Sequence, residues 1–286
     1  LTEYDGASTA AIQRHYDLGN DFYALWLDKN QIYSCAMWSE QDTLEQAQLA
    51  KLDYLIAGAR ASGVKRVLDV GCGWGALLRR LAGVYGVEQA VGLTLSRAQY
   101  EHISAGSEPG VEARLENWIE HQPDEPYDAI ISIGAFEHFA EYGMSRAERI
   151  AAYRTFFARC QEWLPTGGRL ALQTIVKGNN TKMSRQTVRD LLFIIDRIFT
   201  ESELPWLSEI FEASERLFDV ITVTNDADDY ARTCAAWRAR MDARAAEARA
   251  LVGDDAVADY QRYLTASSEA FSDRHIGLAR IIFEKR

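Results

Sequence analysis

The stretch Val67-Leu68-Asp69-Val70-Gly71-Cys72-Gly73-Trp74-Gly75 limits the possible folds of this chain more than any other. An apolar run of strand length passes directly into glycines at alternate positions, and residues 76–85 then carry a helical pattern. The order is strand, tight turn, helix. Further apolar runs at 89–93, 129–133, 169–175, 220–223 and 276–283 have helical stretches between most of them. That alternation predicts an α/β fold with a mainly parallel sheet covered by helices on both faces. Upstream, residues 8–27 have apolar and aromatic residues at helical spacing, and 43–62 reads as a longer helix capped by Asp42 or Thr43 and stopped by Gly63. The reading is one domain over 1–286, with 1–62 as an amino-terminal helical lid and 177–215 as a helical insertion over a pocket.

Charge narrows the function. A net charge of -11 leaves no general electrostatic footprint for nucleic acid or anionic lipid. Arg146, Arg149, Arg154 and Arg159 fall on one helical stretch and read as a solvated face. With no secretory opening segment and no apolar run near the ~20 residues that span a bilayer, the expectation is a soluble, cytoplasmic protein without an integral membrane segment. Cys35, Cys72, Cys160 and Cys234 are scattered, without a C-x-x-C pair or a histidine at ligand spacing. No metal site is expected.

A side chain at Gly71 or Gly73 would keep a ligand from lying against the backbone. The spacing is not the dinucleotide fingerprint, whose third glycine falls one position later, and Gly92-Leu93-Thr94-Leu95-Ser96 stands where a ribose-binding acid would be expected. Farther on, the run 129–132 leads into Ile133-Gly134-Ala135-Phe136-Glu137-His138-Phe139. This places the Glu137 carboxylate just past the carboxyl end of a strand, the edge where open α/β sheets bind ligands.

Together with Tyr33-Ser34-Cys35-Ala36, His15-Tyr16-Asp17 and the late Tyr230 near Trp237, these motifs resemble those of the cyclopropane fatty acid and mycolic acid cyclopropane synthases over most of the chain. The resemblance implies a class I methyltransferase (Rossmann-like) fold, a seven-stranded sheet with an antiparallel last strand, and S-adenosylmethionine as cofactor. It puts Tyr33 and Ser34 near the methionine portion, Gly71 and Gly73 under the cofactor backbone, Thr94, Leu95 and Gln99 at the ribose, and Asn117 and Trp118 at the adenine. Asp69 and Ile133 belong to the same cofactor set. It also implies a bicarbonate ion held by Glu137, the Cys35 backbone, Tyr230 and a histidine.

A sulfonium methyl is electrophilic, so such a site must hold a nucleophile in line with it; orientation can contribute roughly 7–11 kcal/mol. If the nucleophile is an alkene, a carbocation forms and a base must remove a proton. Glu137 is the candidate base, with Tyr230 and Cys35 beside it. Aromatic faces stabilise a cation by about 0.5–2 kcal/mol each, and Tyr16, Tyr33, Phe136 and Tyr230 are candidates. The sequence departs from the resemblance at Gln173, where the histidine is missing, at Ser267, where the mycolate enzymes commonly carry cysteine, and in extra length between Phe139 and Phe156. Gln173, expected in the substrate pocket with Tyr16 and Phe136, cannot accept a proton near neutral pH or add charge, which argues against bicarbonate. The leading expectation is therefore C-methylation of an activated carbon or double bond in a specialised metabolite or lipid-like chain, free or presented on a carrier. Cyclopropanation of an unsaturated acyl chain comes next, then N-methylation of a small amine, and last a binder that transfers nothing.

Overall fold

A computed structural model describes residues 18–286. The part of the predicted first helix at 8–17, and Tyr16 with it, lies outside the described residues.

Strand β1 (Arg66–Val70) lies between β2 (Gln89–Thr94) and β4 (Ala129–Ile133), parallel to both. With β3 (Val111–Leu115), β5 (Arg169–Lys177), β6 (Phe218–Asn225) and β7 (Ile276–Lys285) the order is β3-β2-β1-β4-β5-β7-β6. Among the described strands only β7 runs antiparallel, against β5 and β6. The chain winds outward from β1 to β3 and then returns to the other side of β1 with β4. A crevice opens at that reversal, beyond the carboxyl ends of the strands.

Alternation along β1 feeds two cores. Leu68 and Val70 join Phe156 and Phe157 of α5 (Arg146–Trp163), while Val67 joins Leu55 and Ile56 of α2 (Leu44–Gly58) and Leu77 and Leu78 of α3 (Ala76–Gly83). Of the two candidate caps for α2, Thr43 is used, in a capping box with Gln46. A third, aromatic core packs Trp26 just after α1 (Asn20–Ala24) against Trp237 of α8 (Ala227–Ala243) and Tyr260 of α9 (Ala245–Ser272).

The insertion expected at 177–215 contains α6 (Arg185–Arg197) and α7 (Leu207–Ser214). Arg146 and Arg154 of α5 are exposed, as a solvated face requires, and Arg159 pairs with Glu162 of its own helix, but three of the four arginines also reach the insertion. Arg149 pairs with the buried Glu209 of α7, Arg146 with Glu212, and Arg154 donates to the carbonyls of Ala213 and Glu215. These three fasten α5 to the insertion. Among the described residues no helix is long and apolar enough to cross a membrane.

Candidate active site

Gly71, Gly73 and Gly75 follow β1 with φ of 87°, 53° and 82°. Their reasons differ. A Cβ on Gly71 would stand 2.5 Å from the Ala135 side chain, and one on Gly75 would stand 2.9 Å from Ile103. A Cβ on Gly73 would meet no protein atom within 4 Å. Gly71 is thus required by packing as well as by its backbone conformation, and Gly73 faces open space above the turn.

That space is a cleft lined by ten predicted cofactor residues: Tyr33 and Ser34 from the loop, Asp69, Gly71 and Gly73 at the end of β1, Thr94, Leu95, Gln99 and Trp118 on the β2–β3 side, and Ile133 at the end of β4 on the other side of β1. Asn117 does not line it; its side chain accepts from the Ile119 N–H and closes its own turn. Thr94 donates to Gln99 Oε1 at 2.8 Å, fixing both side chains at the start of α4 (Arg97–Gly106).

A second cavity, of about 440 Å³, lies beyond β4 and β5. The insertion supplies Leu191, Ile194 and Phe199, and α8 and α9 supply Tyr230, Cys234, Tyr263, Ser267 and Phe271. Tyr142, from the extra length after Phe139, is largely exposed and also lines it. Tyr33, Gly134 and His138 line both the cleft and this cavity, so the two spaces meet there.

Glu137 faces the second cavity beside that junction. It belongs to a single 3-10 turn (Phe136–His138), and Oε1 accepts from the N–H of Ile175 at 2.6 Å, just past the last β4–β5 pairing, Ile133 with Gln173. The carboxylate thus takes over from the strand where the ladder ends, and it is not a helix cap. Oε2 is buried without a hydrogen-bond partner. Burial pushes the Glu137 carboxyl up to about 7 against the opposing hydrogen bond from Ile175. Burial also lowers His138 to about 4, leaving a neutral imidazole with Nδ1 2.8 Å from Ser202 Oγ. Tyr230 stacks on Phe271 at 4.4 Å, and burial holds its hydroxyl protonated.

The family model described as mycolic acid cyclopropane synthetase matches residues 5–281. The chain belongs to this family. It is 36% identical over 295 residues to cyclopropane mycolic acid synthase 2 of Mycobacterium leprae, covering 96% of this chain and 93% of that one. It is 37% identical over 290 residues to cyclopropane mycolic acid synthase 1 of Mycobacterium tuberculosis, covering 96% and 97%. The solved structure of mycolic acid cyclopropane synthase CmaA1 complexed with SAH and CTAB superposes with a TM-score of 0.89 at 35% identity, over 98% of this chain and 99% of that chain. Coclaurine N-methyltransferase, at 21% identity and a TM-score of 0.81 over 99% and 84%, shares the class I methyltransferase fold.

In this family member three predicted site residues besides Asn117 stand back from both cavities. Phe136 stacks on Tyr153 at 4.5 Å inside the core. The Cys35 thiol is buried against the Ala36 carbonyl and Arg280, and burial keeps it protonated. Gln173 donates to the Cys35 carbonyl at 3.2 Å and accepts from Arg280 Nε at 2.9 Å, so both ends of its amide are engaged. A cation therefore lies beside Gln173, which itself adds no charge. Its charge is already met by Asp226 and Asp229.

Sequence reasoning passed over Lys51, Glu116, His138 and Arg280. Glu116 lines the cleft just after β3. Lys51 had a signal: it falls with Leu44, Ala47, Gln48 and Leu55 on the buried stripe of α2, where a lysine is out of place. Arg280 likewise interrupts an apolar closing strand and is wholly buried.

Proposed function

We propose that this chain transfers a methyl group from S-adenosylmethionine to a carbon–carbon double bond in a long apolar chain and closes the product to a cyclopropane. The supporting observation is the junction at Tyr33, Gly134 and His138, where a glycine-floored cleft with buried polar groups opens into an apolar cavity with the buried Glu137 carboxylate beside the opening. The cleft fits the cofactor because Gly73 leaves its space clear and the buried Asp69 Oδ1 lacks a partner that a ligand ammonium would provide. When bound there, S-adenosylmethionine supplies an electrophilic methyl on sulfonium.

The chain's own residues carry the remaining steps. Leu191, Ile194 and Phe199 exclude water and hold the apolar chain so that its π electrons meet the methyl carbon. An alkene held there that took the methyl, leaving the S–CH₃ bonding pair with the donor, would gain positive charge on its neighbouring carbon. The ring faces of Tyr33 and Tyr230 stabilise it by about 0.5–2 kcal/mol each. Glu137 then accepts a proton from the transferred methyl, and the released C–H pair closes the three-membered ring. His138, neutral and bonded to Ser202, shapes the passage without adding charge that would repel the cation.

The residues present do not support a bicarbonate ion. Gln173 adds no charge, with one N–H spent on the Cys35 carbonyl and its oxygen on Arg280, and Arg280 is committed to two aspartates, so an anion beside Glu137 would be buried without an uncommitted cation. Glu137 acts alone.

The test is an assay with S-adenosylmethionine carrying a ¹³C methyl and a series of monounsaturated acyl chains, in decarbonated buffer. The expected product gains one CH₂, shows the label as an upfield cyclopropyl carbon, and forms at a rate that added bicarbonate leaves unchanged. Label on nitrogen or oxygen, or in a methyl on a retained double bond, would refute ring closure. Saturable activation by bicarbonate would refute the direct role of Glu137.

A further inference from the structure

We infer that the substrate chain carries a hydroxyl a few carbons from its double bond, and that Lys177 and Glu203 hold this hydroxyl between them. The inference rests on the proposed reaction and narrows the substrate class of the same site.

Besides Glu137, the fixed charges that line the apolar cavity are Lys177, the last residue of β5, and Glu203 in the insertion. Their side chains bond to each other, Lys177 Nζ donating to Glu203 Oε1. That bond spends one of the three ammonium N–H groups and one oxygen of the buried carboxylate. Two donors and Oε2 are left for a ligand. Nearby polar groups are engaged elsewhere: Ser202 Oγ lies 2.8 Å from His138 Nδ1, and the Asn180 amide donates to the Asp273 carbonyl and accepts from the Lys182 N–H.

The pair is not needed to fasten the insertion. Lys177 N–H donates to the Pro205 carbonyl at 2.9 Å, and Glu203 N–H donates to the Glu137 carbonyl at 3.2 Å. Tyr153 adds a hydroxyl bond to the Glu203 carbonyl at 3.3 Å. These three bonds already tie residues 203–205 to β5, the 3-10 turn and α5. They also fix where the pair stands relative to the base. Glu137 Oε1 accepts from Ile175 N–H, and Lys177 follows two residues on, about 7 Å along the strand and on the same face. That distance is spanned by a few carbon–carbon bonds.

A plain hydrocarbon chain in this cavity would strip water from the pair and leave its free donors and acceptor unmatched, which is costly. A charged group is no better suited, since an ammonium would meet Lys177 and a carboxylate would meet Glu203 and Glu137. A hydroxyl is uncharged, accepts from Lys177 and donates to Glu203, so it replaces the lost water on both. Held there, it also sets which way along the cavity the chain runs, and so which alkene carbon faces the methyl donor.

The test compares kcat/KM, with S-adenosylmethionine, for a monounsaturated acyl chain, the same chain with a hydroxyl at successive positions from the double bond, and the methyl ether of the preferred alcohol. Wild type should favour one hydroxyl position over the plain chain by about thirtyfold, and the ether, which cannot donate to Glu203, should lose most of that gain. Lys177→Met/Glu203→Leu removes both charges together and should bring the alcohol and the plain chain within about threefold of each other. Equal loss on both substrates, with the wild-type ratio kept, would make the pair a structural tie and overturn the inference. Wild type that converts the plain chain as well as every alcohol also overturns it, and this comparison decides alone should the double variant not fold. Conversion of no alkene by wild type that binds S-adenosylmethionine overturns the proposed reaction itself, and the inference with it.

Discussion

In the proposed mechanism Glu137 carries two opposed requirements. As a base it must be ionised, and in its buried position it resists ionisation up to about pH 7. Turnover should therefore rise about tenfold per pH unit below 7 and level off above it, if proton removal limits the rate. Stability should move the other way. The folded-state pKa lies above the unfolded value, so the folded protein binds the extra proton; that contribution is complete below the unfolded pKa and is lost as pH rises through 7. Glu137→Gln keeps an acceptor for the Ile175 N–H and removes the charge. It should cut turnover by about a hundredfold or more, keep cofactor binding, and gain up to about 3 kcal/mol relative to wild type at pH 8. Thermal melts and steady-state rates from pH 5 to 9 check both; unchanged turnover with a lowered melting temperature would make Glu137 structural. That Glu137 would stand at a strand's carboxyl edge was legible from the apolar run before it. Its bond to Ile175 was not, because that contact joins segments 38 residues apart.

At the scale of elements, the strands buried on both faces were plain in the sequence and the edges were not. In β3, Glu112 and Arg114 alternate with Val111, Ala113 and Leu115 and every residue is half-buried, so no continuous apolar run marks it. The core role of the α8–α9 pair also escaped notice, because its aromatic residues are identified as cavity wall only when two helices and the 33–38 loop come together. The Arg280 network draws these parts together: from β7 it reaches Gln173 on β5, the Ala36 carbonyl in the cleft loop, and Asp226 and Asp229 at the start of α8. Arg280→Met should leave two aspartates and Gln173 without their partner and cost about 3 kcal/mol. Chemical denaturation measures this. The cost should fall well below that value in Arg280→Met/Asp226→Asn, because one stranded charge is gone; strict additivity of the two changes would show that the network is not coupled.

For the molecule as a whole, sequence pattern and structure agree on a doubly wound sheet; its strand order reverses at β1, a cleft with buried polar groups opens at the reversal, and an apolar cavity lies beside it. The motifs identified the cleft almost residue by residue because its parts are short loops next to strands. The apolar cavity was much less legible, since its walls come from the insertion, the extra segment at Tyr142 and the late helices, which share no local pattern. The proposed chemistry depends first on the methyl donor sitting in the space over Gly73. Asparagine tolerates the left-handed backbone at that position, and a Cβ there touches no protein atom, so Gly73→Asn should fold with its side chain in the cleft. Calorimetry of S-adenosylmethionine against wild type should give micromolar affinity, about 8 kcal/mol. The folded Gly73→Asn protein should give no measurable binding, and affinity equal to wild type would contradict that placement of the donor.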